Sequence, residues 1–131
     1  MDCRDGRLVY ANAGHTTGAI VGPHGEVRKL PATGPLLGAF PNATFQEAAE
    51  TIAIGDLLFL YTDGLTEARR GGELYGSERL FSLLAQMPDS PAEKLVDEVL
   101  AQVAEFSEHR HRDDLAILAV RRASQPANRT D

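Results

Sequence analysis

At 131 residues, 43% hydrophobic and 24% charged, the chain has the length and composition of one globular domain able to bury a core. A net charge of −6, with no basic run longer than Arg69-Arg70 or Arg121-Arg122, argues against nucleic acid or an anionic membrane as partner. Cys3 is the single cysteine, which excludes an intrachain disulfide and fits a reducing cytoplasm, and no signal peptide or apolar run of membrane-spanning length is evident.

Met1 to Arg4 reads as a short strand that turns at Asp5-Gly6 into a return strand over Arg7 to Asn12. Small residues follow at Asn12-Ala13-Gly14-His15. Thr17 to Val21 and Glu26 to Leu30 then form a second hairpin around Gly22-Pro23-His24-Gly25. Pro31 to Pro41 is a Gly- and Pro-rich loop, and Thr44 to Ile54 reads as a strand whose Gln46 to Ala49 segment is also compatible with helix.

The central stretch is Ile54 to Arg70. A Gly55-Asp56 turn leads into Leu57-Leu58-Phe59-Leu60-Tyr61, an apolar run without polar alternation, expected to be a strand buried on both faces. It stops at Asp63-Gly64. A carboxylate at the end of a buried strand needs a positive partner, and a glycine there allows a sharp turn and close approach by a ligand. A second carboxylate pair, Asp113-Asp114, abuts another apolar run, Leu115 to Val120. Two acidic strand ends in one small domain point to a metal site, against the plainer reading of an Asp-Gly turn.

Between these runs, Thr66 to Leu74 reads as polar and flexible around Gly71-Gly72. A helix is expected from Gly76-Ser77 to about Gln86, burying Leu80, Phe81, Leu83 and Leu84. Ser90-Pro91-Ala92-Glu93 has the form of a helix start with serine as N-cap. Leu95, Val96, Val99, Leu100, Val103 and Phe106 follow as one apolar stripe. Glu108 to Arg112 is a charged connector. The domain is expected to span residues 1–122, with a disordered tail over 123–131. Strands, then two helices and a final strand, give an α+β class.

Four segments carry a resemblance: Tyr10-Ala-Asn-Ala-Gly-His15, Gly34-Pro-Leu-Leu-Gly38, Gly55-Asp-Leu-Leu-Phe-Leu-Tyr-Thr-Asp-Gly-Leu-Thr-Glu-Ala68 and Arg112-Asp-Asp-Leu-Ala-Ile-Leu118. In this order they resemble the metal-dependent protein phosphatases, in the bacterial branch named for the sporulation stage II E serine phosphatase. The resemblance runs from about Met1 to Arg122. It implies an antiparallel β-sandwich flanked by helices, and a pair of Mn²⁺ or Mg²⁺ ions in the complete domain. By position it makes Asp63 and Asp113 metal ligands, with Asp114 as a neighbour able to substitute. Gly64, Asn12, Gly14, His15, Gly34 and Gly38 are candidates to line the site. The implied reaction is hydrolysis of phosphoserine or phosphothreonine on a cytoplasmic regulatory protein, such as an anti-sigma-factor antagonist. Hard divalent cations favour carboxylate oxygens and water, and water on such an ion is acidified enough to attack phosphorus without a phosphoenzyme.

The same family has an early Gly-Asp motif whose aspartate bridges the two metals. No stretch here matches it, and Asp2 and Asp5 sit on a hairpin, so the chain is expected to be the C-terminal part of a domain. Strands apolar on both faces, without their covering layers, are expected to favour self-association and weak Mn²⁺ binding. Two other readings stand beside the enzyme. One is a non-catalytic phosphatase-like module that binds a partner. The other is a zinc hydrolase built on His109, His111 and Asp113, which share one face in extended chain.

Overall fold

The computed structural model describes residues 1–110 and 114–124. Eight strands and three helices follow in chain order: β1 Arg7–Tyr10, β2 Gly18–Val21, β3 Val27–Leu30, β4 Ala48–Thr51, β5 Leu57–Tyr61, α1 Asp63–Thr66, β6 Arg69–Arg70, β7 Glu73–Leu74, α2 Gly76–Gln86, α3 Ala92–Phe106 and β8 Ile117–Arg121. An antiparallel four-stranded sheet of order β3-β2-β5-β8 forms the middle layer. Helices α2 and α3 cover one face, and the antiparallel β1-β4 ribbon packs on the other. The class is α+β, as expected.

The layering follows from the two-residue period of the strands. Leu57, Phe59 and Tyr61 of β5, with Ala19 and Val21 of β2, join Leu80, Leu84, Leu95, Val99 and Val103 of the helices in one buried cluster. Leu58, Ile20 and Leu30 point the other way, onto Leu8 of β1 and Ile52 beyond β4. The ribbon does not cover this second face completely. Leu60 and Leu118, directly opposed across β5 and β8, are 38% and 55% exposed. The expectation of strands buried on both faces therefore fails at this corner, and β8 is an edge strand.

Four local expectations need correction. Met1 to Arg4 is not a strand: Asp2 and Asp5 accept hydrogen bonds from the backbone N–H of Arg4 and Arg7, both at 2.9 Å, and hold the segment in turns. β1 pairs with β4 instead, which occupies only the middle of the Thr44 to Ile54 stretch. Thr66 to Leu74 is structured, with Gly71 at φ 62° in the turn joining β6 and β7. The Arg70 and Arg79 guanidinium groups lie 4.6 and 4.7 Å from the Phe106 ring centroid. Hydrogen bonds from Arg79 and Arg70 hold the Glu73 carboxyl below its ordinary range. Finally, α3 is preceded by Pro91 at ψ 145° rather than capped by Ser90, whose carbonyl accepts a hydrogen bond from Arg121. The α3 stripe buries Leu95, Val99, Val103 and Phe106 but leaves Leu100 exposed. The tail expectation for Gln125 to Asp131 lies outside the described residues.

One polar clamp ties the layers. Arg28 of β3 donates to Glu50 of β4 at 2.8 Å, to the Thr51 carbonyl at 2.8 Å and to Asp56 at 2.9 Å. Asp56 is buried and also accepts the backbone N–H of Ala53 at 3.0 Å. Asp56→Ala is expected to destabilise the chain by about 1–3 kcal/mol, because it strands a buried N–H and part of a guanidinium. Phe59→Ala, at a fully buried site, is expected to cost about 3–5 kcal/mol. Urea unfolding monitored by circular dichroism measures both; a loss below about 0.5 kcal/mol in either would contradict this account of the core.

Candidate functional site

The register of β5 against β8 determines what meets at the end of the sheet. Tyr61 opposes Ile117, so the residues just past β5 lie beside those just before β8. Thr62 makes the junction. Its backbone N–H donates to the Ala116 carbonyl at 3.0 Å. Its hydroxyl donates to the Asp114 carbonyl at 3.3 Å and accepts from the Ala116 N–H at 2.9 Å. Asp63, the next residue, is the first of the single-turn helix α1, and its carbonyl accepts from the Glu67 N–H at 2.8 Å. Asp63 and Asp114 thus share one end of the sheet, and both are exposed. The sequence reading had Asp63 at a buried strand end; the structure sets it at a solvent-open rim. Gly64 is a buried helical residue, not the sharp turn expected of it.

A loop over residues 12–16 forms the opposite wall. Asn12 holds it: its Oδ1 accepts the His15 N–H at 2.7 Å, and its Nδ2 donates to the Thr16 carbonyl at 3.2 Å. The Asn12 backbone is tied in turn to Thr33, through its N–H to Thr33 Oγ1 at 2.8 Å and its carbonyl to the Thr33 N–H at 2.8 Å. Gly14 adopts φ 81°, and a Cβ there would sit 2.7 Å from the Leu36 Cα, so only glycine fits both backbone and neighbour. Thr16 closes the loop onto the sheet by donating its hydroxyl hydrogen to the Tyr61 carbonyl at 2.6 Å.

Between these walls lies an open groove of about 450 Å³, lined by Ala13, Gly14, His15, Thr16, Leu36, Thr62 and Asp63. It shares Ala13, His15 and Thr16 with an apolar cavity of about 260 Å³ under the β1-β4 ribbon, whose walls include Leu8, Leu30, Leu58 and Leu60. The Tyr61 side chain packs in the helix-side cluster, and burial there pushes its phenol above its ordinary pKa, so it stays protonated at neutral pH.

Of the residues singled out from sequence, the structure brings Asp63, Gly14 and His15 to this groove, with Asn12 bracing it from behind and Asp114 at the same sheet end. Gly34 borders the loop through a parallel bridge to Ala13. Gly38, at φ 79°, has no neighbour within 4 Å of a Cβ position and lies off the groove wall. Asp113 lies outside the described residues, as does His111. His109, the third member of the alternative zinc set, is not in extended chain. It sits at φ 59° in the turn after α3, with its N–H on the Ala104 carbonyl at 2.8 Å. Among the described residues no three His, Cys, Asp or Glu side chains are grouped to hold an ion. The sequence assigns no role to Thr16 or Leu36 and reads Thr62 as a core or strand residue rather than a catalytic one. The two threonines flank His15 and Asp63 directly, and that adjacency was the available signal.

The chain is 32% identical over 114 residues to the phosphoserine phosphatase RsbP of Bacillus subtilis, covering 87% of this chain and 27% of that protein. It is 40% identical over 85 residues to protein IcfG of a Synechocystis strain, covering 64% of this chain and 13% of that protein. Among solved structures, the SiaA-PP2C domain of Pseudomonas aeruginosa superposes with a TM-score of 0.75 at 25% identity, over 88% of this chain and 46% of that one. The RsbU and RsbW domains of Rv1364c from Mycobacterium tuberculosis give 0.75 at 29% identity, over 93% and 35%. The phosphatase domain of SpoIIE from Bacillus subtilis gives 0.77 at 18% identity, a likeness of fold, over 96% and 55%. The chain therefore spans about a quarter or less of these two curated relatives. Residues 1–123 match the family described as Stage II sporulation protein E (SpoIIE), and the chain belongs to that family.

Proposed function

We propose that this chain is part of a metal-dependent serine/threonine protein phosphatase domain. It would act on phosphoserine or phosphothreonine of a regulatory protein in a bacterial cytoplasm, an anti-sigma-factor antagonist being the class that the family resemblance favours. The observation that carries the reading is the placement of Asp63 and Asp114 at one sheet end, joined through Thr62, with Asp63 lining a groove whose other wall is the His15 loop. Relatives named as phosphoserine phosphatases support the same chemistry.

The donor set fits a hard divalent cation. Asp63 and Asp114 present exposed carboxylates that no arginine, lysine or backbone N–H among the described residues engages, and carboxylate oxygen with water is what Mg²⁺ or Mn²⁺ favours. Asp63 and Asp114 are the described residues that would hold the ion; Asp113 is the further candidate. A bound cation of this class supplies Lewis acidity, acidifying water and drawing charge from phosphoryl oxygens. The rest falls to the protein. Thr62 keeps the two acidic segments in register, Gly14 and Leu36 shape the wall against which a phosphorylated side chain would lie, and Asn12 keeps that wall from collapsing. On this reading the domain extends over residues 1–122.

Hydrolysis of a phosphoserine peptide with saturating Mn²⁺, in a protein that joins this chain to an early Gly-Asp motif, tests the assignment. Asp63→Asn is expected to lower turnover by about 100-fold or more while leaving the far-ultraviolet circular dichroism unchanged, since the amide keeps the shape and forfeits the charge. A variant as fast as the parent would remove Asp63 from the site. Tight capture of the phosphopeptide without turnover, under any divalent ion, would favour a binding module instead. Zn²⁺-dependent turnover lost in His109→Ala and His111→Ala would favour the histidine site.

A further inference from the structure

The hydrogen-bond chain behind His15 determines the state of its ring. The Thr16 hydroxyl lies 2.6 Å from the Tyr61 carbonyl, and a carbonyl only accepts, so the single hydroxyl hydrogen of Thr16 is committed there. The same oxygen is 3.0 Å from His15 Nδ1. With its hydrogen spent, Thr16 Oγ1 can only accept from the imidazole, so Nδ1 must carry a hydrogen. In the neutral ring this leaves Nε2 bare, with its lone pair. His15 is exposed and lines the Asp63 groove, and its backbone is pinned by Asn12, which makes Nε2 the ring nitrogen available to a ligand there.

We propose that Thr16 is a positioning residue that locks His15 in the Nδ1–H tautomer, so that His15 Nε2 accepts a proton from the attacking water in the Asp63 groove. What enters the groove rests on the phosphatase reading; the ring state does not. In the step itself the water oxygen bonds to phosphorus as one of its hydrogens passes to Nε2. The phosphorus–oxygen ester bond breaks with its electron pair on the seryl oxygen, which takes a proton from solvent. His15 returns its extra proton to solvent, and Thr16 keeps its hydrogen on Tyr61 throughout. A free histidine divides between two tautomers; this chain of three groups holds the ring in the one that leaves Nε2 bare.

The tautomer is read directly from long-range ¹H–¹⁵N correlations of the imidazole nitrogens, at a pH where the ring is neutral. The four histidines are distinguished by the signal lost in His15→Gln. The expected result is Nδ1–H for His15 in the parent chain and in Thr16→Ser, with Nε2–H gaining in Thr16→Val. A parent His15 found mainly as Nε2–H, or a ratio unmoved by Thr16→Val, overturns the proposal whether or not the protein has phosphatase activity. Turnover of the phosphoserine peptide adds a second arm. Thr16→Val is expected to lower kcat about 10-fold or more with KM nearly unchanged, and Thr16→Ser to restore it. A Thr16→Val enzyme with the shifted tautomer and full kcat would leave the ring lock standing and overturn the role of Nε2. Absence of turnover in a protein that joins this chain to an early Gly-Asp motif, with the tautomer as expected, would count against the phosphatase reading and against the role of Nε2, and leave the lock intact.

Discussion

Strand β5 is the element on which the rest of the chain depends. It is hydrogen-bonded on both edges, to β2 and to β8, and its side chains divide between the two buried clusters. Phe59 and Leu57 anchor the helices while Leu58 anchors the ribbon. Pairing with β2 ends at Phe59, so the C-terminal end of the strand is positioned by β8 on one edge and by the Thr16 hydroxyl on the Tyr61 carbonyl. Everything proposed for the groove uses that end: the Tyr61 carbonyl, the Thr62 backbone and hydroxyl, and the Asp63 carboxylate.

Two threonines translate this rigidity into the groove. Thr62 uses its donor and acceptor capacity to hold the segment before β8, and Thr16 does the same for the histidine loop. Each sits beside a residue to which the proposed chemistry is assigned, and neither bears a charge. The division is physically sensible. A buried or half-buried hydroxyl with both of its roles satisfied is stable in low dielectric, whereas the carboxylates and imidazole stay at the rim where water solvates them.

Much of the fold was legible in the amino-acid pattern because the strong signals are local. The β2-β3 hairpin announces itself through Gly22-Pro23-His24-Gly25, and both long helices through the spacing of their leucines and valines. The pairing of β1 with β4 was not legible. It joins segments about forty residues apart, whereas the Asp5-Gly6 turn offered a nearer partner that goes no further than the Asp2 N–H on the Arg7 carbonyl at 2.8 Å. Likewise Thr66 to Leu74 looked flexible from its glycines, yet arginine stacking on Phe106, a residue far along the chain, orders its hairpin. At the site, Asp63 and His15 were visible as residue types in short motifs. Their convergence depends on the register of β5 with β8 and on the Thr16 bond to Tyr61, neither of which leaves a mark in composition or period.

The proposed metal site requires Asp63 and Asp114 to address the same small volume at one end of the sheet. Substoichiometric Mn²⁺ added to the ¹⁵N-labelled chain tests this most directly, because the ion broadens amide resonances steeply with proximity. The account predicts selective loss of the Asp63, Gly64, Asp114 and His15-loop amides before those of α2, α3 or the β6-β7 turn. Broadening centred on α2 or α3, or spread evenly over the exposed carboxylates, would contradict it.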